Sequence, residues 1–157
     1  MAIKDIEDLL RSLKTYLKAN LNTEIGLVNT EKTDFDIPTL PADDLHYWIA
    51  GEMGDLPNRD FCIVGLIDNV PSEANYDDIR YEIPIDIRVV FAQSNHDTDY
   101  FKALRYARAL TNAVLDYQSD SNPEIQGVQI TNIIPMLLEI EKRRLITTGI
   151  TVNIPLA

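Results

Sequence analysis

Hydrophobic and polar residues alternate along the segment from Arg80 to Phe91. Every odd position is apolar, namely Tyr81, Ile83, Ile85, Ile87, Val89 and Phe91, whereas the even positions carry charges, one proline and one valine. A two-residue repeat predicts a β-strand with one buried and one solvent-facing side, because successive side chains in a strand point to opposite faces. Proline cannot donate a backbone hydrogen bond, so Pro84 predicts that this strand lies at a sheet edge or contains a bulge.

Three further segments predict strands. Phe61–Asp68 is nearly all apolar, which is typical of a buried strand, and the polar loop Asn69–Asp78 separates it from the alternating segment. An antiparallel hairpin is the economical pairing for two strands this close in sequence. In the last third of the chain, Val128–Ile140 and Leu145–Leu156 alternate again and predict a second hairpin around the basic turn Lys142–Arg144.

Two segments have the three- and four-residue spacing of apolar positions that predicts amphipathic helices. The first runs from Ile3 to about Ala19, and its expected end is Asn20 or Asn22. The second, Asp97–Tyr117, begins with Asp97 as the preferred N-cap. The expected buried stripe of this second helix consists of Tyr100, Phe101, Leu104, Ala107, Leu110, Thr111, Val114 and Leu115.

These elements predict one α+β domain over residues 1–157. The expected architecture is a mostly antiparallel sheet of two long hairpins with two amphipathic helices packed on one face. A short strand is expected within Glu24–Lys32, and a long irregular insertion over about residues 30–58 follows it. Tyr47 and Trp48 lie in this insertion, where they either hold the loop onto the core or anchor a partner surface.

The charge balance restricts the partners that the chain can bind. The chain has 25 acidic and 14 basic residues, a net charge of −11, which argues against gripping nucleic acid, since phosphate affinity is built from Lys and Arg. This charge is compatible with an acidic protein surface that DNA passes without binding. The sequence has no apolar run of the ~20 residues that span a membrane and no signal-peptide pattern at its start. A single cysteine, Cys62, suits synthesis in a reducing cytoplasm.

The sequence contains no motif that names a reaction. The two histidines, His46 and His96, lack a neighbouring Cys or His at metal-ligand spacing, and the glycines form no phosphate-binding loop. The adjacent aspartates Asp43–Asp44 and Asp77–Asp78 are interpreted as solvated loop residues rather than metal ligands. No catalytic, cofactor-binding or metal-binding residue is therefore predicted.

The order of elements, the chain length and the acidity together resemble the tail-terminator and tail-completion proteins of long-tailed bacteriophages. The resemblance extends over nearly the whole chain and is carried by Ile6–Leu17, Phe61–Asp68, Tyr81–Phe91, Asp97–Tyr117 and Leu145–Leu156. It implies a non-enzymatic α+β subunit whose helices cover one face of a sheet. It also implies a sixfold ring of copies that caps the tail tube, joins the head–tail connector proteins and lets DNA pass through its lumen.

Under this hypothesis, the contacts with other subunits or partners come from the aromatic pair, the polar loop, the charged face of the alternating strand and the basic turn. The candidate residues are Tyr47, Trp48, Pro71, Glu73, Tyr76, Asp77, Asp78, Asp86, Arg88, Lys142, Arg143 and Arg144. Two alternatives remain open. One is a small non-enzymatic adaptor, neck or chaperone-like binding module, and the other is a hydrolase or nuclease that uses the aspartate pairs with a divalent ion.

Overall fold

Two long helices and one β-sheet form the part of the chain that the computed structural model describes, residues 5–51, 60–66, 72–75, 78–94, 96–120, 129–140 and 143–156. The elements in chain order are α1 (Ile6–Glu31), β1 (Tyr47–Ile49), β2 (Phe61–Leu66), β3 (Ser72–Asn75), β4 (Asp78–Ala92), α2 (His96–Asp120), β5 (Gln129–Ile140) and β6 (Arg143–Leu156). The fold is α+β with a mostly antiparallel sheet, as the sequence predicts.

The alternating segment forms β4, which lies in the middle of the sheet. The strand order is β1-β2-β4-β6-β5, and β3 also pairs with β4. β4 is antiparallel to β2 on one side and to β6 on the other, where the register runs from Tyr81↔Leu156 to Ala92↔Leu145. β5 and β6 form the second predicted hairpin. β1 is parallel to β2, which makes the sheet mixed.

The expectation that Pro84 marks an edge strand or a bulge is wrong. β4 pairs on both sides, and its register with β6 is continuous through Pro84↔Asn153. On the opposite side, the pairing with β2 reaches only to Ile85, and the pairing with β3 reaches only to Tyr81. Among the described residues, neither of these two registers includes Pro84.

The first helix is longer than its sequence predicts. α1 begins after the N-cap Asp5, whose side chain accepts a hydrogen bond from the Asp8 N–H, and continues to Glu31. The predicted end at Asn20 or Asn22 and the predicted strand within Glu24–Lys32 are both wrong.

Two asparagine side chains explain why the helix continues. The Asn22 amide donates to the Leu40 carbonyl at 2.7 Å and accepts from the Leu40 N–H at 2.9 Å. Asn29 makes the same pair of bonds with Ile37, at 3.0 and 2.8 Å. These amides bind the backbone of the segment that returns along α1, so that segment is fixed although it has no regular structure. The predicted irregular insertion is therefore ordered over residues 32–46 and contributes β1.

The second helix also differs at its ends. α2 begins at His96, so Asp97 lies inside its first turn rather than at the cap. Asp99 reaches back instead, and its carboxylate accepts from the Ser94 N–H at 3.0 Å and the Ser94 hydroxyl at 3.2 Å. The helix ends at Asp120 rather than near Tyr117.

The predicted polar loop Asn69–Asp78 contains a strand. β3 pairs with the start of β4, from Ser72↔Tyr81 to Asn75↔Asp78, and forms a short β3–β4 hairpin. The sequence Ser-Glu-Ala-Asn has no apolar alternation, so hydrophobic patterning alone could not predict this strand. The segment predicted as a loop therefore extends the sheet along β4.

Both helices pack on the same face of the sheet. Their buried side chains form one core cluster with residues 83, 85, 87, 89 and 91 of β4 and with Ile150, Val152 and Ile154 of β6. On the opposite face, a smaller cluster consists of Trp48, Phe61, Val90 and Leu145, with Ile63 against it. Among the described residues, neither helix is sufficiently long and apolar to cross a membrane.

Candidate functional site

The charged face of β4 carries an ion pair on the side of the sheet opposite the helices. The Arg88 Nε donates to Asp86 Oδ2 at 2.7 Å, and its Nη1 lies 3.3 Å from the Thr147 hydroxyl. The two charged side chains are 23% and 25% exposed. Gly149 pairs with Arg88 across the strands, and a Cβ at Gly149 would lie 2.9 Å from Arg88 Cγ. The glycine therefore leaves the space in which Arg88 lies across β6.

Tyr47 and Trp48 are buried. Their exposed fractions are 1% and 7%, the Trp48 ring packs 5.4 Å from the Phe61 ring, and its indole N–H donates to the Asp44 carbonyl at 2.8 Å. Burial raises the pKa of the Tyr47 phenol, whose oxygen is the only buried side-chain polar atom without a hydrogen-bond partner among the described residues. This geometry favours the interpretation that the pair holds the insertion onto the sheet.

The remaining candidate residues belong to two hairpins. Glu73 lies in β3 opposite Arg80, and Asp78 is the first residue of β4, whereas Arg143 and Arg144 begin β6 opposite Ile140 and Glu139. Pro71, Tyr76, Asp77 and Lys142 lie outside the described residues.

These two hairpins lie at opposite ends of the sheet. The antiparallel register places the start of β4 beside the end of β6, and the end of β4 beside the start of β6. At about 3.3 Å per residue, the length of β4 separates the two ends by roughly 45 Å.

A cleft that the sequence analysis missed lies between the end of α1 and the N-terminal half of α2. It has a volume of about 590 Å³ and is lined by Glu31, Lys32, Thr33, Asp34, Phe101, Leu104, Arg105 and Arg108. Phe101 is 54% exposed and Leu104 36% exposed, although both were expected in the buried stripe of α2. Tyr100 and Leu115, also expected there, are exposed as well.

The structure confirms Ala107, Leu110 and Val114 of the expected stripe, but the buried face of α2 is rotated relative to the expected one. Its fully buried side chains are Ala103, Tyr106, Ala109, Leu110, Ala113, Val114 and Tyr117. The helix has more apolar residues than one face can hold, and this surplus is the signal in the sequence that indicates an exposed apolar surface.

Each arginine of the cleft is held by a carboxylate. Arg105 is nearly buried, and its guanidinium donates to Asp34 Oδ1 at 2.6 Å and to the Phe35 carbonyl at 2.7 Å. It also stacks 3.8 Å from the centroid of the Phe35 ring. The hydrogen bond from Arg105 holds the pKa of Asp34 below its usual range. Arg108 forms an ion pair with Glu31. The cleft therefore presents fixed charges beside an apolar surface.

A second polar cluster, next to the cleft, joins α2 to the start of β2. The Tyr106 hydroxyl lies 2.5 Å from Asp60 Oδ2 and 2.8 Å from the Pro38 carbonyl, and Lys102 Nζ lies 3.3 Å from the same Asp60 oxygen. The Lys102 ammonium also lies 4.4 Å from the centre of the Phe91 ring. Burial, together with the Asp60 carboxylate, raises the pKa of Tyr106, so its hydroxyl remains protonated and serves as a hydrogen-bond donor.

The side chains of Asp43 and Asp44 do not converge on one point. Asp43 Oδ1 lies 2.6 Å from His46 Nδ1, whereas Asp44 Oδ1 lies 2.9 Å from Lys18 Nζ, and each hydrogen bond lowers the pKa of its carboxyl. Within the described part of the chain, no three His, Cys, Asp or Glu side chains are grouped so that they could hold a metal ion. Cys62 is fully buried, and desolvation raises the pKa of its thiol to about 12.

No protein-family model matches the chain, and no curated protein matches it either.

Proposed function

We propose that the protein is a structural virion subunit that assembles with copies of itself into a ring, six copies in the expected form, at the head-proximal end of a phage tail. There it caps the tail tube and offers a surface to the head–tail connector. The observation that carries the proposal is the element order α1-β1-β2-β3-β4-α2-β5-β6, in which both helices cover one face of a single sheet. This order corresponds to the tail-terminator pattern that the sequence resembles.

The distribution of surfaces supports a ring. A closed ring needs two different surfaces on each subunit that fit each other, because its contacts are head-to-tail. This chain has two hairpins at opposite ends of its sheet and a cleft on the helix side, so its ends are chemically unlike. A subunit of this kind can repeat around an axis without using the same surface twice.

The charge of the chain supports passage of DNA through such a ring. A net charge of −11 on each copy gives the assembly a strongly acidic surface. Like charges on the lumen wall and on phosphate repel each other, so DNA passes without binding. The Asp86–Arg88 pair contributes no net charge to the sheet face on which it lies.

Electron microscopy of tails tests the proposal. In the phage that encodes this chain, we expect a truncation before β5 to give tails of irregular length or tails that do not join heads, and a full-length copy supplied in trans to restore both. Tails of normal, uniform length that join heads without the intact protein would contradict the proposal. Charge reversal at Asp86 and Arg88 separately tests whether that sheet face takes part in assembly, since unchanged assembly would assign it to solvent.

The cleft favours a second candidate function, that of a small adaptor or chaperone-like module which binds one partner without forming a ring. Exposed Phe101 and Leu104 beside fixed charges are typical of a protein-binding surface. Native mass measurement on purified tails or tail-tube complexes distinguishes the two functions. A ring adds about 107 kDa, six copies of 17.8 kDa, to the mass of the tube, whereas an adaptor adds one copy to the mass of its partner.

A further inference from the structure

The cleft at the end of α1 combines two features that are unusual on this chain. Its lining includes three basic residues, Lys32, Arg105 and Arg108, against two acidic ones, although the whole chain carries almost twice as many acids as bases. Next to these charges, Phe101 keeps more than half of its surface in contact with solvent. A surface with locally positive charge and an exposed aromatic ring fits an acidic segment that also carries an apolar side chain.

The β3–β4 hairpin has the complementary composition. The segment from Ser72 to Glu82 contains four acidic residues and one basic residue, and it includes two tyrosines. Among the described residues of this hairpin, Glu73 lies in β3, and Asp78 and Glu82 lie in β4. Elsewhere in the described part of the chain, no other hairpin has so acidic a sequence.

The hairpin of a given copy cannot reach the cleft of the same copy. The N-terminal half of α2, which forms one wall of the cleft, lies over the end of β4. The Tyr106 and Phe91 rings are 5.7 Å apart, and the Thr148 hydroxyl donates to the Ala103 carbonyl at 2.7 Å. The β3–β4 hairpin lies at the start of β4, roughly 40 Å away along the strand.

We propose that the cleft receives the β3–β4 hairpin of a second copy of this chain. The contact is head-to-tail, because it joins one end of a subunit to the opposite end of the next. The proposal rests on the ring assembly described under the proposed function and specifies which two surfaces meet. The apolar contact with Phe101 and Leu104 supplies burial. Because Arg105 and Arg108 are paired with carboxylates of the cleft, Lys32 leaves the lining with one excess positive charge, which favours an acidic partner.

Cysteine cross-linking tests the pairing on the full chain. The double variant Thr33→Cys/Asp78→Cys carries one thiol on the exposed lining of the cleft and one at the hairpin, and a short bis-maleimide joins them only if the two surfaces meet. Substitution at Thr33 leaves Phe101 and Leu104 in place. The native Cys62 has no exposed surface and does not react. The matched control Thr15→Cys/Asp78→Cys moves the first thiol to the exposed outer side of α1. Circular dichroism and thermal unfolding of each variant confirm that the chain is folded.

We expect the Thr33→Cys/Asp78→Cys variant to give a ladder of covalent multimers in 17.8 kDa steps that ends at the size of the closed ring. The separate single-cysteine variants and the Thr15→Cys control should remain monomeric on a denaturing gel. The yield should fall as salt is raised, because the contact is partly electrostatic. A 1:1 mixture of the two single variants should give only a dimer, which shows that the bond joins different copies.

The outcomes separate this proposal from the proposed function. If native mass measurement shows ring-sized particles but cross-linking gives no covalent ladder, the hairpin contact is overturned and ring assembly is retained. A ladder together with tails of normal length and attachment in the truncation experiment would support the contact and reject the phage function. A Thr33→Cys/Asp78→Cys variant that remains monomeric under all conditions, including on tail tubes, would overturn the contact.

Discussion

Replacement of Glu24 by glutamine should stabilise the protein at alkaline pH. Glu24 lies on the buried side of α1 between Leu21 and Ile25 and is only 9% exposed. Burial, and then the hydrogen bond and charge of Asp116 on α2, raise the pKa of Glu24 from 4.5 to about 7. An ionised Glu24 therefore places a second negative charge next to Asp116 at the contact between the two helices.

The sign and size of the effect follow from that shift. The folded state binds the Glu24 proton more tightly than the unfolded state, so stability is highest below about pH 4.5 and falls as the pH rises towards 7. At about 1.4 kcal/mol per pKa unit, the shift sets a ceiling of roughly 3 kcal/mol. Because water approaches the edge of the helix pair and weakens the repulsion, we expect about 1–2 kcal/mol.

Urea unfolding at pH 5 and pH 8 measures the effect. Glu24→Gln keeps the size of the side chain and can donate a hydrogen bond to Asp116, so it should match wild type at pH 5 and exceed it by about 1–2 kcal/mol at pH 8. Glu7→Gln is the control, since Glu7 is exposed and pairs with Arg11 of the same helix. The reasoning would be refuted if the difference in unfolding free energy between Glu24→Gln and wild type were the same at pH 5 and pH 8.

Four further substitutions test packing and hydrogen bonding through urea unfolding at pH 7. Tyr47→Phe removes a buried hydroxyl without a partner and should leave stability unchanged or raise it by about 1 kcal/mol; a loss would reveal a partner for that hydroxyl. Gly149→Ala should cost about 1–3 kcal/mol because its Cβ would overlap the Ile87 carbonyl oxygen. Gly26→Ala, on the exposed side of α1 with no atom within 4 Å, should instead stabilise by about 0.5–1 kcal/mol, and a similar effect at both glycines would contradict the argument. Asn22→Ala should cost about 1–3 kcal/mol through the lost pair of bonds to Leu40, and an unchanged midpoint would refute that role.

The sequence predicted the elements whose periodicity is long and regular. The alternation along β4 identified its buried side at Ile83, Ile85 and Ile87, because the side chains on the buried face of a strand are apolar and those on the other face are mostly polar. The antiparallel pairings of β2 with β4 and of β5 with β6 were predicted because only short segments connect the paired strands. Hydrophobic patterning could not predict β3, because its residues are held by the backbone ladder with β4 and not by an apolar face.

The errors in α1 and α2 have different physical causes. Asn20 and Asn22 were predicted as helix-ending residues. The Asn22 amide instead binds the Leu40 backbone 18 positions away, and the Asn29 amide binds the Ile37 backbone 8 positions away, contacts that local propensity does not encode. On α2, two apolar stripes compete, and only the packing against the sheet decides that Tyr106 is buried and Phe101 exposed. The cleft depends on that outcome and on the return of the chain after α1, so it could not be derived from spacing alone.

The position of β6 in the sheet affects how the chain folds during synthesis. β6 comes last in chain order among the described strands, yet it lies between β4 and β5. Its first pairing with β4 joins Ala92 to Leu145, and its last joins Tyr81 to Leu156. Such distant partners slow folding, since the intervening chain must be ordered before the contact is gained. Until β6 leaves the ribosome, β4 keeps one unpaired edge and β5 has no partner, so a nascent chain exposes aggregation-prone backbone and benefits from a chaperone.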